Sequence, residues 1–273
     1  MNKKAISVII VTALAIALYF LIDDPLNLST KLGRSKRLPP VIISLSTIES
    51  GYPSLPYDSS SVLKYLGFHL SYNEEFEQAN WTAYILTREM VENGQFERTN
   101  NFRADTNIST LSASLADYRK SGFDRGHLVP AGDMKWNEQA MSESFLMSNI
   151  SPQVPGFNRN LWKKLETKVR KWTVENDSLF IITGPVLQDI DQFIGKNNVG
   201  VPHAYFKLIL DISAPDYKGI AFFIENKASS RDIFSYAISI DSLEVILNNN
   251  FFPDQESYSI EFIESRIDVE DWR

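Results

Sequence analysis

The chain has no cysteine among its 273 residues. That excludes disulfides, thiolate zinc sites and a cysteine nucleophile, and leaves the compartment open. Histidine is scarce, with three in all, so imidazole chemistry has to come from His69, His127 or His203. There is no GxGxxG fingerprint, no P-loop, no HExxH and no GxSxG elbow, which removes the anchors for nucleotide-cofactor, zinc-protease and α/β-hydrolase readings. Excess positive charge is missing too. The net charge is −7, and the first 40 residues hold six of the 27 basic side chains against two of the 34 acids. The remainder therefore carries 21 basic and 32 acidic residues, a net of −11. Such a balance argues against broad electrostatic capture of nucleic acid, though it leaves room for a local basic site.

A chain of this length with 44% hydrophobic and 22% charged residues is long enough for one large, well-buried domain or at most two. Lys3-Lys4 precede eighteen uncharged residues, Ala5 to Ile22, closed by Asp23-Asp24. That run has the minimum length for a membrane span, at about 1.5 Å of rise per residue. It ends without the small-x-small pattern of a cleavage site, so an uncleaved signal-anchor is favoured over a signal peptide. The expected organisation is an N-terminal anchor or signal (1–24), a linker rich in Ser, Thr and Pro (25–50) and a folded domain (51–273). The expected localisation is a single-pass cell-membrane protein with its domain outside the cytoplasm, or a periplasmic or secreted protein if the segment is cleaved.

Within the domain, Trp81–Thr87, Ser178–Thr183, Ala204–Ile212 and Ile220–Ile224 read as strands. Residues 158–175 read as a helix, with Leu161, Trp162, Leu165, Val169 and Trp172 on one face. A second helix is expected over Asp241–Asn248, capped by Asp241. Strands and helices mix without regular alternation, so the fold class is α+β.

The stretch Asp124-Arg125-Gly126-His127-Leu128-Val129-Pro130-Ala131-Gly132-Asp133 places a histidine beside an arginine and a carboxylate. Histidine is the side chain whose pKa lies nearest neutrality, and arginine is the fork-shaped partner of phosphate oxygens. The pair suits a base acting on water at a phosphodiester; alone, it is more often the signature of a packed histidine. Downstream stand Asn149, Asn158 and Glu166. Asn158 sits where the helix should start, as an N-cap or a ligand. Glu166, eight residues on, lies roughly 80° around an α-helix from it, so both can border one cleft.

Tyr118-Arg119-Lys120-Ser121-Gly122-Phe123-Asp124-Arg125-Gly126-His127-Leu128, with Ala131-Gly132-Asp133-Met134, resembles the DNA/RNA non-specific endonucleases, the ββα-metal nucleases of the endonuclease G and Serratia types. Trp81-Thr82-Ala83-Tyr84, the segment Leu146 to Gln153, the pattern Asn158…Trp162…Leu165-Glu166, Thr183-Gly184-Pro185 and Val201 to Lys207 follow in family order, over about residues 65–250. The resemblance implies a ββα-metal (His-Me finger) fold with a mixed, mainly antiparallel sheet. It implies a sugar-non-specific endonuclease that leaves 5′-phosphate ends on DNA and RNA and uses Mg²⁺, with Mn²⁺ as the alternative ion.

By the same resemblance His127 is the general base, Asn158 the direct metal ligand and Glu166 the holder of a metal-bound water. Arg125 offsets transition-state charge, and Asn149 positions His127 or the metal waters. Arg98 is the second arginine, with Arg103 as its rival. Asp124 braces the loop or a neighbouring arginine. His69 and His203 have no comparable context. A homodimer is also implied. Two alternatives remain: a catalytically weak nucleic-acid-binding protein of the same fold, and a phosphodiesterase for small substrates.

Overall fold

The computed structural model describes residues 62–110, 112–211, 213, 217–252 and 258–273. The expected anchor and linker lie outside the described residues, and among the described residues no helix is long and apolar enough to cross a membrane. In chain order the strands are β1 (Val62–Lys64), β2 (His69–Asn73), β3 (Gln78–Thr87), β4 (Asp124–His127), β5 (Ile150–Gln153), β6 (Ser178–Pro185), β7 (Phe193–Ile194), β8 (Val199–Gly200), β9 (Ala204–Asp211), β10 (Lys218–Glu225) and β11 (Ala237–Ile238). The α-helices are α1 (Arg88–Glu92), α2 (Leu115–Tyr118), α3 (Glu138–Glu143), α4 (Lys163–Asn176), α5 (Ile240–Leu247) and α6 (Tyr258–Glu264). Seven of them form one sheet in the order β1-β2-β3-β6-β9-β10-β11, every pairing antiparallel, while β4-β5 and β7-β8 are separate antiparallel pairs. Among the described residues a parallel bridge joins Arg103 to Leu146.

The central strands are apolar at nearly every position because both faces of the sheet are covered, and alternation divides them between two cores. Leu179, Ile181, Tyr205 and Ile209 pack with Leu161, Trp162, Leu165, Val169 and Trp172 on one face. Phe180, Ile182, Phe206, Leu208 and Leu210 pack with Ile240, Leu243 and Leu247 on the other. Lys207 belongs by the same alternation to the face of Tyr205 and Ile209. It is 1% exposed, and its Nζ donates to Thr183 Oγ1 at 2.5 Å and lies 5.0 Å from the Trp162 ring centroid.

Two helix starts differ from expectation for one physical reason. The helix α5 (Ile240–Leu247) begins a residue early, capped by Ser239, whose side chain accepts from Ser242 N–H. Ile240, Leu243 and Leu247 are all buried, so the apolar face needs Ile240 inside the helix and Asp241 falls in the first turn. Likewise Asn158 is not an N-cap. A π-helical segment, Phe157–Trp162, precedes α4 (Lys163–Asn176), and its buried Phe157, Leu161 and Trp162 pull the helical start back to Phe157. Such π turns are rare and frequent at functional sites.

The α4 helix is also fastened by a buried ion pair. Arg170 Nη1 donates to Asp133 Oδ1 at 2.7 Å, and the hydroxyl of Tyr84 on β3 donates to Asp133 Oδ2 at 2.7 Å. The Asp133 side chain is fully buried. Replacing it leaves two donors stranded, and removing one partner of a buried pair costs about 3 kcal/mol or more. Asp133→Ala is therefore expected to lower Tm by roughly 6–12 °C, read by calorimetry.

Candidate active site

The Asp-Arg-Gly-His stretch is a strand. In β4, Asp124 to His127 pair with Gln153 to Ile150 of β5, and with the helical segment from Phe157 they make a β-β-α unit. Glycine is required at position 126, because a Cβ there would stand 2.1 Å from Gln153 Cδ, and that side chain is fully buried. Past His127 the chain is clamped by Asn149. Its Oδ1 accepts from Val129 N–H at 2.9 Å, and its Nδ2 donates to the carbonyls of Val129 at 3.0 Å and Ser144 at 2.8 Å.

His127, Arg125, Arg98, Asn158 and Glu166 come together on one cavity of about 510 Å³. Asn149 does not line it; its amide is fully engaged by backbone, so it holds the segment that carries His127. Arg103 is also elsewhere, with its Nη1 donating to the Ser142 carbonyl at 2.8 Å. His203 is exposed and bonds to the Asp189 carbonyl at 2.6 Å, and His69 opens β2, away from the cavity.

Two phenylalanines without a sequence signal shape this site. The Phe145 ring meets the His127 ring edge-on at 4.9 Å, and Phe102 lies 5.4 Å from it on another side. The guanidinium of Arg125 stacks on Phe102 at 4.2 Å and that of Arg98 on Phe145 at 4.8 Å. The loop carrying Arg98 and Phe102 is pinned to the Phe145 segment by Met147 N–H donating to the Arg103 carbonyl at 2.9 Å. The result is an imidazole with both arginines fixed over its aromatic neighbours. Burial, then the charges of Arg98 and Arg125, push His127 from 6.5 down to about 3. Its Nε2 is buried without a hydrogen-bond partner among the described residues.

Asn158 is held by the brace expected of Asp124. Its Nδ2 donates to Asp124 Oδ2 at 3.0 Å, and Arg159 donates to both oxygens of the same carboxylate at 2.8 and 2.6 Å. Burial raises the Asp124 pKa, but the bonds from Arg159 and Asn158 outweigh it and the net shift is downward. Asn158 Oδ1 is left without a donor among the described residues. Glu166 likewise has no hydrogen bond or ion pair there; burial raises its pKa, opposed by the ammonium of Lys207. Two unsatisfied hard oxygen donors in one cleft fit a hard divalent ion that keeps most of its waters. No group of three His, Cys, Asp or Glu among the described residues offers a denser site.

A family model described as DNA/RNA non-specific endonuclease matches residues 47–257. The chain belongs to that family. A nuclease of Syncephalastrum racemosum is 34% identical over 220 residues, 72% of this chain and 69% of that one. Nuclease C1 of Cunninghamella echinulata var. echinulata is 32% identical over 77% of this chain and 88% of its own length. Human mitochondrial endonuclease G is 36% identical over 152 residues, about half of each chain. A crystal structure of an EndoG/EndoGI complex matches with a TM-score of 0.69 at 28% identity, over 82% of this chain and 95% of that one. This DNA/RNA non-specific endonuclease thus has the ββα-metal nuclease fold and is a nuclease.

The relatives also correct the expected localisation. They are named as mitochondrial nucleases, human endonuclease G among them, or simply as nucleases. Neither those names nor any described helix supports a single-pass cell-membrane protein with an extracytoplasmic domain. The uncharged run that suggested it lies outside the described residues.

Proposed function

We propose that this endonuclease hydrolyses DNA and RNA phosphodiesters with His127 as general base, in a divalent-metal site built on Asn158 and Glu166. The observation that carries this is the convergence of a neutral, buried imidazole, two arginines and two free oxygen donors on one cavity. Neutral His127 takes a proton from water as the water oxygen bonds to phosphorus. The bond from phosphorus to the 3′-oxygen breaks and that oxygen takes a proton from solvent water, leaving 5′-phosphate and 3′-hydroxyl ends. Arg98 and Arg125 offset the charge gathering on the non-bridging oxygens. They also tune the base: an incoming phosphate neutralises the cations that depress His127, so the imidazole becomes more basic as substrate seats. Asn158 would hold the ion directly and Glu166 would hold it through water; the ion, Mg²⁺ or Mn²⁺, would supply Lewis-acid stabilisation of negative charge at the phosphodiester. The catalytic domain is proposed to span 51–273, and a homodimer is part of the same reading, checked by light scattering.

Purified protein incubated with plasmid and with RNA should cut both with Mg²⁺ and neither with EDTA. Cleavage that survives EDTA would sink the metal assignment. The two candidate arginines separate cleanly. Arg98→Ala should lower kcat/KM about 10²-fold, as expected for a donor that stabilises the transition state. Arg103→Ala, which loses only ties to the Ser142 and Asn101 carbonyls, should stay within a few-fold; equal losses in the two variants would remove Arg98 from its role.

A further inference from the structure

The cleft does not end at the first turn of α4. A shallow groove of about 430 Å³ runs on from it along one face of the helical segment, lined by Arg159, Lys163, Lys164, Lys168 and Lys171, and sharing Arg159 and Lys163 with the cleft. On its other side the cleft shares Arg98, Arg125 and Asn158 with a cavity of about 490 Å³ that reaches Arg119. The three are contiguous. Nine cations line them against two carboxylates, in a chain that carries 21 basic and 32 acidic residues after position 40.

Helix stability does not account for this placement. A solvated helix face usually pairs lysine with glutamate four residues away, and cations are unwelcome in early turns, where the peptide dipoles present their positive end. Here Lys164 and Lys168 repel at that spacing. Among the described residues neither Lys163 nor Lys164 has a carboxylate within 4.0 Å, and Lys168 reaches the main-chain oxygen of Arg273, at 3.1 Å, and two aromatic faces. Lys171 alone has an ion pair, with Glu175 at 3.3 Å. From Lys164 to Lys171 the helix rises about 10 Å, enough to meet two or three successive phosphates of one strand at about 3.4 Å of axial rise each.

We propose that Lys164, Lys168 and Lys171 form a phosphate track that grips a nucleic-acid strand beyond the scissile bond, by charge alone and without base readout. This rests on the nuclease reading of the cleft. It assigns a polymer-binding face to a protein whose overall charge opposes polymer binding.

The test is binding of a fluorescent 40-nucleotide strand by the full chain in EDTA, followed by anisotropy at several salt concentrations. The triple variant Lys164→Gln/Lys168→Gln/Lys171→Gln should bind about tenfold more weakly. Its slope of log Kd against log salt should fall by about two, since each single-strand phosphate contact contributes about 0.7. The arginine triple at the same positions should keep the wild-type slope, which a merely structural loss would not explain. An unchanged slope in the glutamine triple overturns the proposal. So does unchanged strand binding coupled with lost retention on polyglutamate, which would mark a face for an acidic protein. Failure of the nuclease reading shows separately, as wild-type protein that cuts neither the strand nor a nitrophenyl phosphodiester when Mg²⁺ is restored.

Discussion

His127→Ala should lower kcat/KM on plasmid DNA by about 10³-fold, within the 10²–10⁴ that a positioned general base contributes. Protein fold and strand binding should be kept, because the ring is held by Phe102 and Phe145 rather than by hydrogen bonds that other groups need. Equal cleavage by wild type and variant would remove the residue from the reaction. The ring's own titration gives a second handle. With its pKa pushed to about 3 by burial and then by Arg98 and Arg125, an NMR titration should show no His127 protonation between pH 8 and 5. A midpoint near 6.5 would contradict a neutral, depressed base.

The same shift sets a stability dependence whose sign is fixed. Below pH 6.5 the unfolded chain takes up a proton that the folded site refuses until about pH 3. The unfolded state then binds more protons, so this contribution to stability is lost progressively as pH falls from 6.5 towards 3. It is on the order of 5 kcal/mol over the full window. His127→Leu has no such proton to refuse. Urea denaturation at pH 7 and pH 4 should show the variant losing less stability between the two than the wild type.

How much of this was legible in the sequence varies with the range of the forces involved. His127, Asn158 and Glu166 were legible as candidates because the family resemblance carries them in order, and they line one cavity; the central strands were legible because continuous apolar runs betray burial on both faces. Phe102, Phe145 and Arg159 were not. They act by stacking on or bonding to residues far along the chain, and an aromatic ring that packs on an imidazole leaves no periodicity. The two misplaced helix starts have a related origin. Asp241 and Asn158 are good capping residues, but the boundaries were decided by which apolar neighbours, Ile240 and Phe157, had to reach the core. Local capping preference is worth about 1 kcal/mol, and burying a large apolar side chain about twice that. Asn149 shows the opposite limit. Its place in the pattern suggested an amide that positions His127 or the metal waters, and only its three backbone bonds show that it clamps the segment after His127.

Asn158→Ala should lower kcat/KM by about 10³-fold and weaken Mn²⁺ binding, read by paramagnetic resonance on the uncut enzyme. A Lewis acid is worth several kcal/mol to the transition state, and about 4 kcal/mol is a thousandfold in rate. The structure predicts a ladder below it. Because Asp124 takes the Nδ2 hydrogen bond, it is what leaves Oδ1 free. Asp124→Ala lets the amide rotate and should cost 10–100-fold in metal affinity, the usual effect of losing a group that orients a ligand. Arg159→Gln removes only an exposed partner of Asp124 and should cost less. The exchange of charges decides between orientation and mere proximity. Asn158→Asp keeps an oxygen donor but sets a carboxylate against Asp124 in place of an N–H, so it should bind Mn²⁺ poorly. Adding Asp124→Asn restores a donor opposite the new carboxylate, and the double variant should recover much of the lost affinity. No recovery would mean that the Asp124 bond does not set the ligand geometry.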